Sequence, residues 1–240
     1  PRHFEKEGIR RYGFHGLSYD YVLGEVRRRD GDAAANARII VAHLGNGASM
    51  AAIKGGRSVE TSMGFSTLAG LPMGTRPGDL DPGALLHLLI EKKMPPDALQ
   101  QVLYNESGLL GLSGLSRNMA DLLAKRDVPE AAEAIDFFCH HARRHLAGLT
   151  AALGGLDRLV LTGGIGANSP VIRARVCEGL GYLGLTLDAG RNERQERVVS
   201  AEDSAVLIET FKTDEELVVA RQTRGLLDAV PAEGGVQAHG

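Results

Sequence analysis

Ile39-Ile40-Val41-Ala42-His43-Leu44-Gly45-Asn46-Gly47-Ala48-Ser49-Met50 reads as a buried strand that breaks into a polar, glycine-rich turn and leaves it as a second strand. An apolar run without polar interruption suits the middle of a sheet, where both faces are covered. Asn46-Gly47 between two β-prone runs is a hairpin signal, because both residue types accept positive φ. Taken alone it predicts only a hairpin. A His, an Asn and two glycines at one turn support a second reading, since successive backbone N–H groups in such a turn form a concave anion site.

Downstream, Gly55-Gly56 supplies another tight turn, so that residues 38–43, 48–54 and 57–61 make a three-stranded meander. Residues 62–80 are a long loop broken by glycine and proline. Its apolar residues Met63, Phe65, Leu68, Leu71 and Met73 argue for a functional loop over a disordered one. Arg76 sits there between Thr75 and Pro77-Gly78, a rigid placement for a guanidinium. Asp81 is an N-cap followed by Pro82, and predicts a helix over 82–92 with Leu85, Leu86, Leu89 and Ile90 on one face and an ordinary His87.

Upstream, Gly13-Phe14-His15-Gly16 holds one imidazole between two flexible points, and Ser18 is the expected cap of a helix over 19–29. Beyond the loop, a short helix is predicted over 95–104. Residues 105–117, small and apolar without a period, read as a packed loop, and 117–124 as a helix. Asp127-Val128-Pro129-Glu130 resembles a capping box for a long helix to about residue 153, with Ile135, Phe138, Ala142, Leu146 and Leu149 as its buried stripe. His141 and His145 are four apart on it, but the Glu of a zinc-protease helix does not follow His141 and no metal is expected there. A buried strand over 157–162 runs into Gly163-Gly164-Ile165-Gly166-Ala167-Asn168 and a helix over 170–180, which opens free N–H groups at a helix start. That turn matches neither the phosphate-loop nor the dinucleotide pattern. A last strand is expected over 204–209. Thr213-Asp214-Glu215-Glu216 then opens a helix to about 227, with Thr213 and Glu216 as a capping box and Glu215 favoured by the helix dipole. Residues 229–240 read as a disordered tail.

The formal net charge is −3 with scattered arginines, so no nucleic-acid footprint is present. The two cysteines, Cys139 and Cys177, lack metal-ligand spacing and suit a reducing cytoplasm. No apolar run is long enough to span a bilayer and no signal peptide opens the chain, so no membrane partner is expected. The order of strands and helices gives an α/β domain with a mixed β-sheet, and its two glycine turns lie at strand ends, where such sheets bind ligands. Phosphate-bearing ligands are the natural guess.

Five segments in order, Arg11-Tyr12-Gly13-Phe14-His15-Gly16, His43-Leu44-Gly45-Asn46-Gly47, Thr61-Ser62-Met63-Gly64-Phe65, the run from Gly74 to Gly83 and Thr162-Gly163-Gly164-Ile165-Gly166, together resemble the acetate kinase family. The resemblance runs from the first residues to about Arg221. It implies a ribonuclease-H-like fold of the actin/hexokinase/Hsp70 superfamily, with residues 1–228 as the C-terminal nucleotide-binding domain. It also implies phosphoryl transfer from ATP to acetate, giving acetyl phosphate and ADP. His15 and Arg76 match the family's transition-state-stabilising pair, and His43, Leu44, Gly45, Asn46 and Gly47 its phosphate loop. Gly164, Ile165, Gly166, Ala167 and Asn168 match the adenosine-side loop, with Ala167 in place of a common Glu. Asn118, Met119 and Ala120 fall where the family often has Asp-Met-Arg, at its adenine or ribose contacts. Glu215 matches the ligand of Mg²⁺ (or Mn²⁺), and the family is typically a homodimer, for which the helix around Phe137-Phe138 is an interface or core candidate.

Only the C-terminal half of the family's chain is matched. The chain opens on Pro1 without a Met, and the expectation is a part of a two-domain enzyme whose N-terminal domain is absent. Phosphoryl transfer spreads charge over equatorial oxygens, so an Arg fork, imidazole donors and approachable glycine backbone suit it. The alternatives are a propionate or butyrate kinase, and a nucleotide-binding fragment inactive on its own.

Overall fold

In the computed structural model, which describes residues 1–229, the meander forms as β1 (Ile39–Leu44), β2 (Ala48–Lys54) and β3 (Arg57–Thr61), antiparallel throughout. On the other side of β1, β4 (Arg158–Thr162) pairs parallel with it, and β5 (Leu207–Thr210) pairs parallel with β4. The sheet order is β3-β2-β1-β4-β5, a mixed sheet with β1 at its centre. Helices around it include α1 (Gly16–Asp30), α2 (Pro82–Ile90), α3 (Gly108–Ser113), α4 (Met119–Ala124), α5 (Pro129–Leu153), α6 (Gly163–Asn168), α7 (Pro170–Cys177) and α8 (Glu215–Ala229).

Side chains alternate along a strand, and the two faces of β1 fill two cores. Ile40, Ala42 and Leu44 pack toward α5, whose Ile135, Phe138, Ala142, Leu146 and Leu149 form the expected stripe. Ile39 and Val41 pack with Tyr19, Val22, Leu23 and Val26 of α1. Phe138 is thus core, whereas Phe137 stands 36% exposed.

Several local expectations give way to tertiary context. Gly55 and Gly56 take φ of 60° and 70° as a tight hairpin turn requires, but Asn46 and Gly47 do not adopt positive φ. Leu44 pairs with Ala48, so that loop spans three residues and needs no left-handed backbone. Residues 108–113 are helical because their first N–H groups are taken by other carbonyls, Leu109 N donating to Met73 O and Leu110 N to Gly74 O. Ser18 is not a cap. α1 starts at Gly16 from His15, whose φ is 61°, and the Ser18 hydroxyl instead donates to Glu215. No side chain caps α5, and α8 is capped by Asp214, which accepts from Leu217 N, instead of by a Thr213–Glu216 box. Asp81 caps α2 as expected, yet α2 buries none of its residues. The expected tail at 229–240 lies outside the described residues save for Ala229, the last residue of α8.

Candidate active site

The parallel strands β1 and β4 end side by side, with His43 opposite Thr162. β1 breaks into residues 45–47 and β4 runs straight into α6. A cleft of about 540 Å³ opens at these strand ends, where α/β sheets characteristically bind ligands. His15, His43, Gly45, Asn46, Gly47, Asn118, Met119, Ala120, Asp121, Gly164 and Ile165 line it. An adjoining hollow of about 310 Å³ shares Met119, Ala120, Gly164 and Ile165 and adds Leu123, Asn168 and Ser169. The cleft is therefore imidazole-lined and polar at one end and runs into an apolar recess at the other.

Gly47 is where the polar end closes. A Cβ built on it would lie 3.1 Å from Arg76 Nη2 and 3.4 Å from His15 Nε2, so both nitrogens converge on the outer side of the same turn. Arg76 is held there by its own loop. Its Nη1 donates to Thr67 O at 3.0 Å, Met73 N donates to Arg76 O at 2.9 Å, and Gly74 N ties the loop to Asn46 O at 3.1 Å. Thr75 Oγ1 donates to Tyr104 O at 2.7 Å. Docking of this loop on the start of α3 is what fixes the guanidinium.

His15 and His43 stack, with ring centroids 4.4 Å apart. Burial lowers the pKa of His15 to about 4, with the neighbouring His43 and Arg76 pushing the same way and Glu215 opposing. Burial likewise lowers that of His43, again against Glu215. Both rings are neutral near pH 7 and act as hydrogen-bonding groups and not as charges. His43 Nδ1 and Thr162 Oγ1 are buried without a protein partner, a floor that favours a polar ligand.

Of the residues singled out in the sequence, Leu44, Arg76, Gly166, Ala167, Asn168 and Glu215 are not among those that line the cleft itself. Leu44 is fully buried core, and Gly166 and Ala167 form the wall behind, their carbonyls facing Arg173. Asn168 reaches only the apolar recess, its Nδ2 donating back to Gly164 O at 2.9 Å. Asn118 lines the cleft, with its Nδ2 donating to Asp121 Oδ2 at 3.2 Å. Glu215 stands off the cleft, accepts from Ser18, and is felt at both imidazoles. Among the described residues no group of three or more His, Cys, Asp or Glu side chains is placed to hold a metal. A hard divalent cation can be held by one carboxylate with phosphate oxygens and water completing its shell, and Glu215 offers that kind of donor.

The sequence pattern of the acetokinase family matches residues 1–221. The chain belongs to the acetokinase family. An acetate kinase from Methylocella silvestris is 51% identical over 97% of this chain and 57% of its own length. A propionate kinase from Citrobacter rodentium is 44% identical over 92% of this chain and 55% of its own. The crystal structure of Porphyromonas gingivalis acetate kinase superposes with a TM-score of 0.90 at 36% identity, over 95% of this chain and 58% of that one. The chain thus spans a little over half the length of the relatives it matches, and its mixed sheet is that of the actin/hexokinase-like fold.

Four residues of this acetokinase chain escaped the sequence reading. Asp121 lines the cleft and accepts from both Ser116 and Asn118, which hold its carboxyl below the usual range. Arg173 is fully buried, donating to Gly166 O, Ala167 O, Asn192 Oδ1 and Asn192 O at 2.7 to 3.1 Å. Ser49, fully buried on β2 opposite His43, bonds His15 Nδ1 at 2.7 Å and also the hydroxyl of Tyr19. Sequence gives no signal for Arg173 in particular, because an Arg on a helix looks like a solvated charge until its surroundings are known.

Proposed function

We propose that this chain is the nucleotide- and phosphoryl-handling half, residues 1–228, of an acetate kinase that transfers the terminal phosphoryl group of ATP to acetate. The observation that carries the reading is the meeting of Arg76 and His15 on the outer side of the Gly47 turn, at the polar end of the cleft. Adenine occupies the apolar recess beside Ile165 and Met119, and the phosphates run along residues 45–47 toward that point. A carboxylate oxygen of acetate attacks the γ-phosphorus, the bond to the β–γ bridging oxygen breaks, and its electron pair leaves on ADP. Charge then spreads over the equatorial oxygens. The Arg76 fork and a His15 N–H stabilise it where it develops, and neutral imidazoles suit a pocket already holding a cation. Glu215 would hold Mg²⁺, which when bound offsets the charge of the phosphates.

Arg76→Ala, made in a chain extended to the relatives' full length, is expected to lower kcat at least about a hundredfold while the fold persists, the usual scale for losing a transition-state donor. Turnover within twofold of the parent would remove Arg76 from the mechanism. We propose that the 240-residue chain by itself binds MgATP without turnover. Calorimetry for binding and a coupled acetyl-phosphate assay separate those two properties. The similarity to a propionate kinase favours one second reading, a longer acyl substrate, which relative turnover on acetate, propionate and butyrate resolves. The proposed setting is a cytoplasmic homodimer. It is supported by two free, buried cysteines and by the exposed apolar residues Leu86 and Ile90 of α2. Among the described residues no helix is long and apolar enough to cross a membrane.

A further inference from the structure

We propose that Tyr19 and Ser49 are positioning residues that lock His15 in the tautomer carrying its proton on Nε2, the nitrogen beside Gly47 and Arg76. The consequence for catalysis rests on the proposed function; the hydrogen-bond geometry does not.

Ser49 Oγ lies between two partners, His15 Nδ1 at 2.7 Å and the Tyr19 hydroxyl. Ser49 is fully buried and Tyr19 is 7% exposed, among Val22, Leu23, Val26 and Val41. Each hydroxyl carries one proton, and a neutral imidazole carries one on only one of its nitrogens. Suppose Nδ1 were the donor. Ser49 would accept from it, and its own proton would either go to Tyr19 O or, if Ser49 also accepted from the phenol, be left without an acceptor. In the first case the phenolic proton points into an apolar core with no acceptor, and in either case one buried hydroxyl proton is stranded, which buried polar groups avoid. In the opposite arrangement both hydroxyl protons are satisfied. Tyr19 O–H donates to Ser49 Oγ, Ser49 O–H donates to Nδ1, and the remaining imidazole proton falls on Nε2. Burial pushes the Tyr19 phenol pKa up, so that proton stays in place across neutral pH. Burial and the facing His43 ring keep His15 itself neutral there, which makes the choice of tautomer matter.

Nε2 lies 3.4 Å from the point at Gly47 that Arg76 Nη2 approaches to 3.1 Å. With its proton on Nε2, His15 adds a donor to those of the guanidinium. With the proton on Nδ1 it would offer a lone pair to the same anionic oxygens and repel them. A phenol feeding a serine feeding an imidazole is one way to hold that direction without placing a charge in the cleft.

The test is nitrogen NMR of the 240-residue chain labelled at its histidines, with the His15 resonances identified by their loss in His15→Gln. The expected result at pH 7 is an unprotonated Nδ1 and a protonated Nε2. A protonated Nδ1 in the unsubstituted chain would overturn the inference, and this measurement needs no substitution that could disturb folding. Ser49→Ala and Tyr19→Phe are each expected to shift the tautomer ratio about tenfold toward Nδ1–H, the scale of one hydrogen bond. An unchanged ratio in both folded variants would also overturn it. Addition of MgATP separates this inference from the proposed function. A shift of the Nε2 resonance supports both. Its absence counts against His15 at the phosphates, while the relay is upheld or overturned by the tautomer measured in the free chain.

Discussion

Gly47 matters for the side chain it lacks. Its backbone has no positive φ, so glycine is there for room and not for conformation. A methyl group would sit 3.1 Å from Arg76 Nη2, tighter than ordinary contact, so the guanidinium would have to yield, and it would fill the space up to His15 Nε2 at 3.4 Å. Gly47→Ala is therefore expected to weaken MgATP binding to the chain roughly tenfold while changing unfolding free energy by less than about 1 kcal/mol. Calorimetric titration and urea unfolding of the same preparation check the two halves. Unaltered affinity would mean that the phosphates do not pass the Arg76 side of the turn.

Among the elements, α6 has the strongest constraints. It begins directly after the last residue of β4, and Gly163 makes that possible at φ 78°, since a Cβ there would lie 2.5 Å from Leu44 O. Its far end is held by Arg173, whose guanidinium takes the carbonyls of Gly166 and Ala167 while Asn192, itself 2% exposed, takes the rest. These contacts fix the Gly164-Ile165 edge that borders both the cleft and its recess. Arg173→Met keeps an unbranched apolar stem and removes every donor, leaving several buried acceptors unpaired. The expected cost is about 3 kcal/mol of stability, at one to three per stranded group with some relaxation. Weaker MgATP binding should accompany it. A loss of stability with unchanged affinity would confine Arg173 to the fold.

For the whole molecule, stability should depend on pH through the stacked imidazoles. The ordinary histidine pKa of 6.5 falls to about 4 for His15 in the folded chain. Between those values the unfolded chain binds the proton and the folded chain does not, so stability falls as pH drops from 6.5 toward 4. His15→Gln should make the urea midpoint less sensitive to acid over that window, and an unchanged slope would contradict the neutral stacked pair. Assembly is a second property at this scale. Leu86 and Ile90 of α2 are 55% and 63% exposed although their helix is almost entirely apolar. Leu86→Glu with Ile90→Glu should leave thermal stability of the monomer within about 1 kcal/mol and halve the mass seen by sedimentation if α2 lies in the dimer contact.

The sequence alone specifies the central strand, the meander, the long amphipathic helix and the five segments that point to the family. These are signals of short range, where the side-chain period follows local geometry and turn residues act on their own backbone. It also named nearly every residue that lines the cleft. Direction and partnership came from the assembled fold. Ser18 reads as a cap but reaches Glu215, 197 positions away in sequence. Residues 108–113 read as a loop but become helix because the loop carrying Arg76 supplies their first acceptors. Arg173, Ser49 and Tyr19 look ordinary in the chain, and Gly166 and Ala167 turn from the cleft to the wall behind it. Each outcome depends on which buried donor meets which buried acceptor. That pairing is set by elements far apart in sequence and enforced by the cost of leaving a polar group alone in the core.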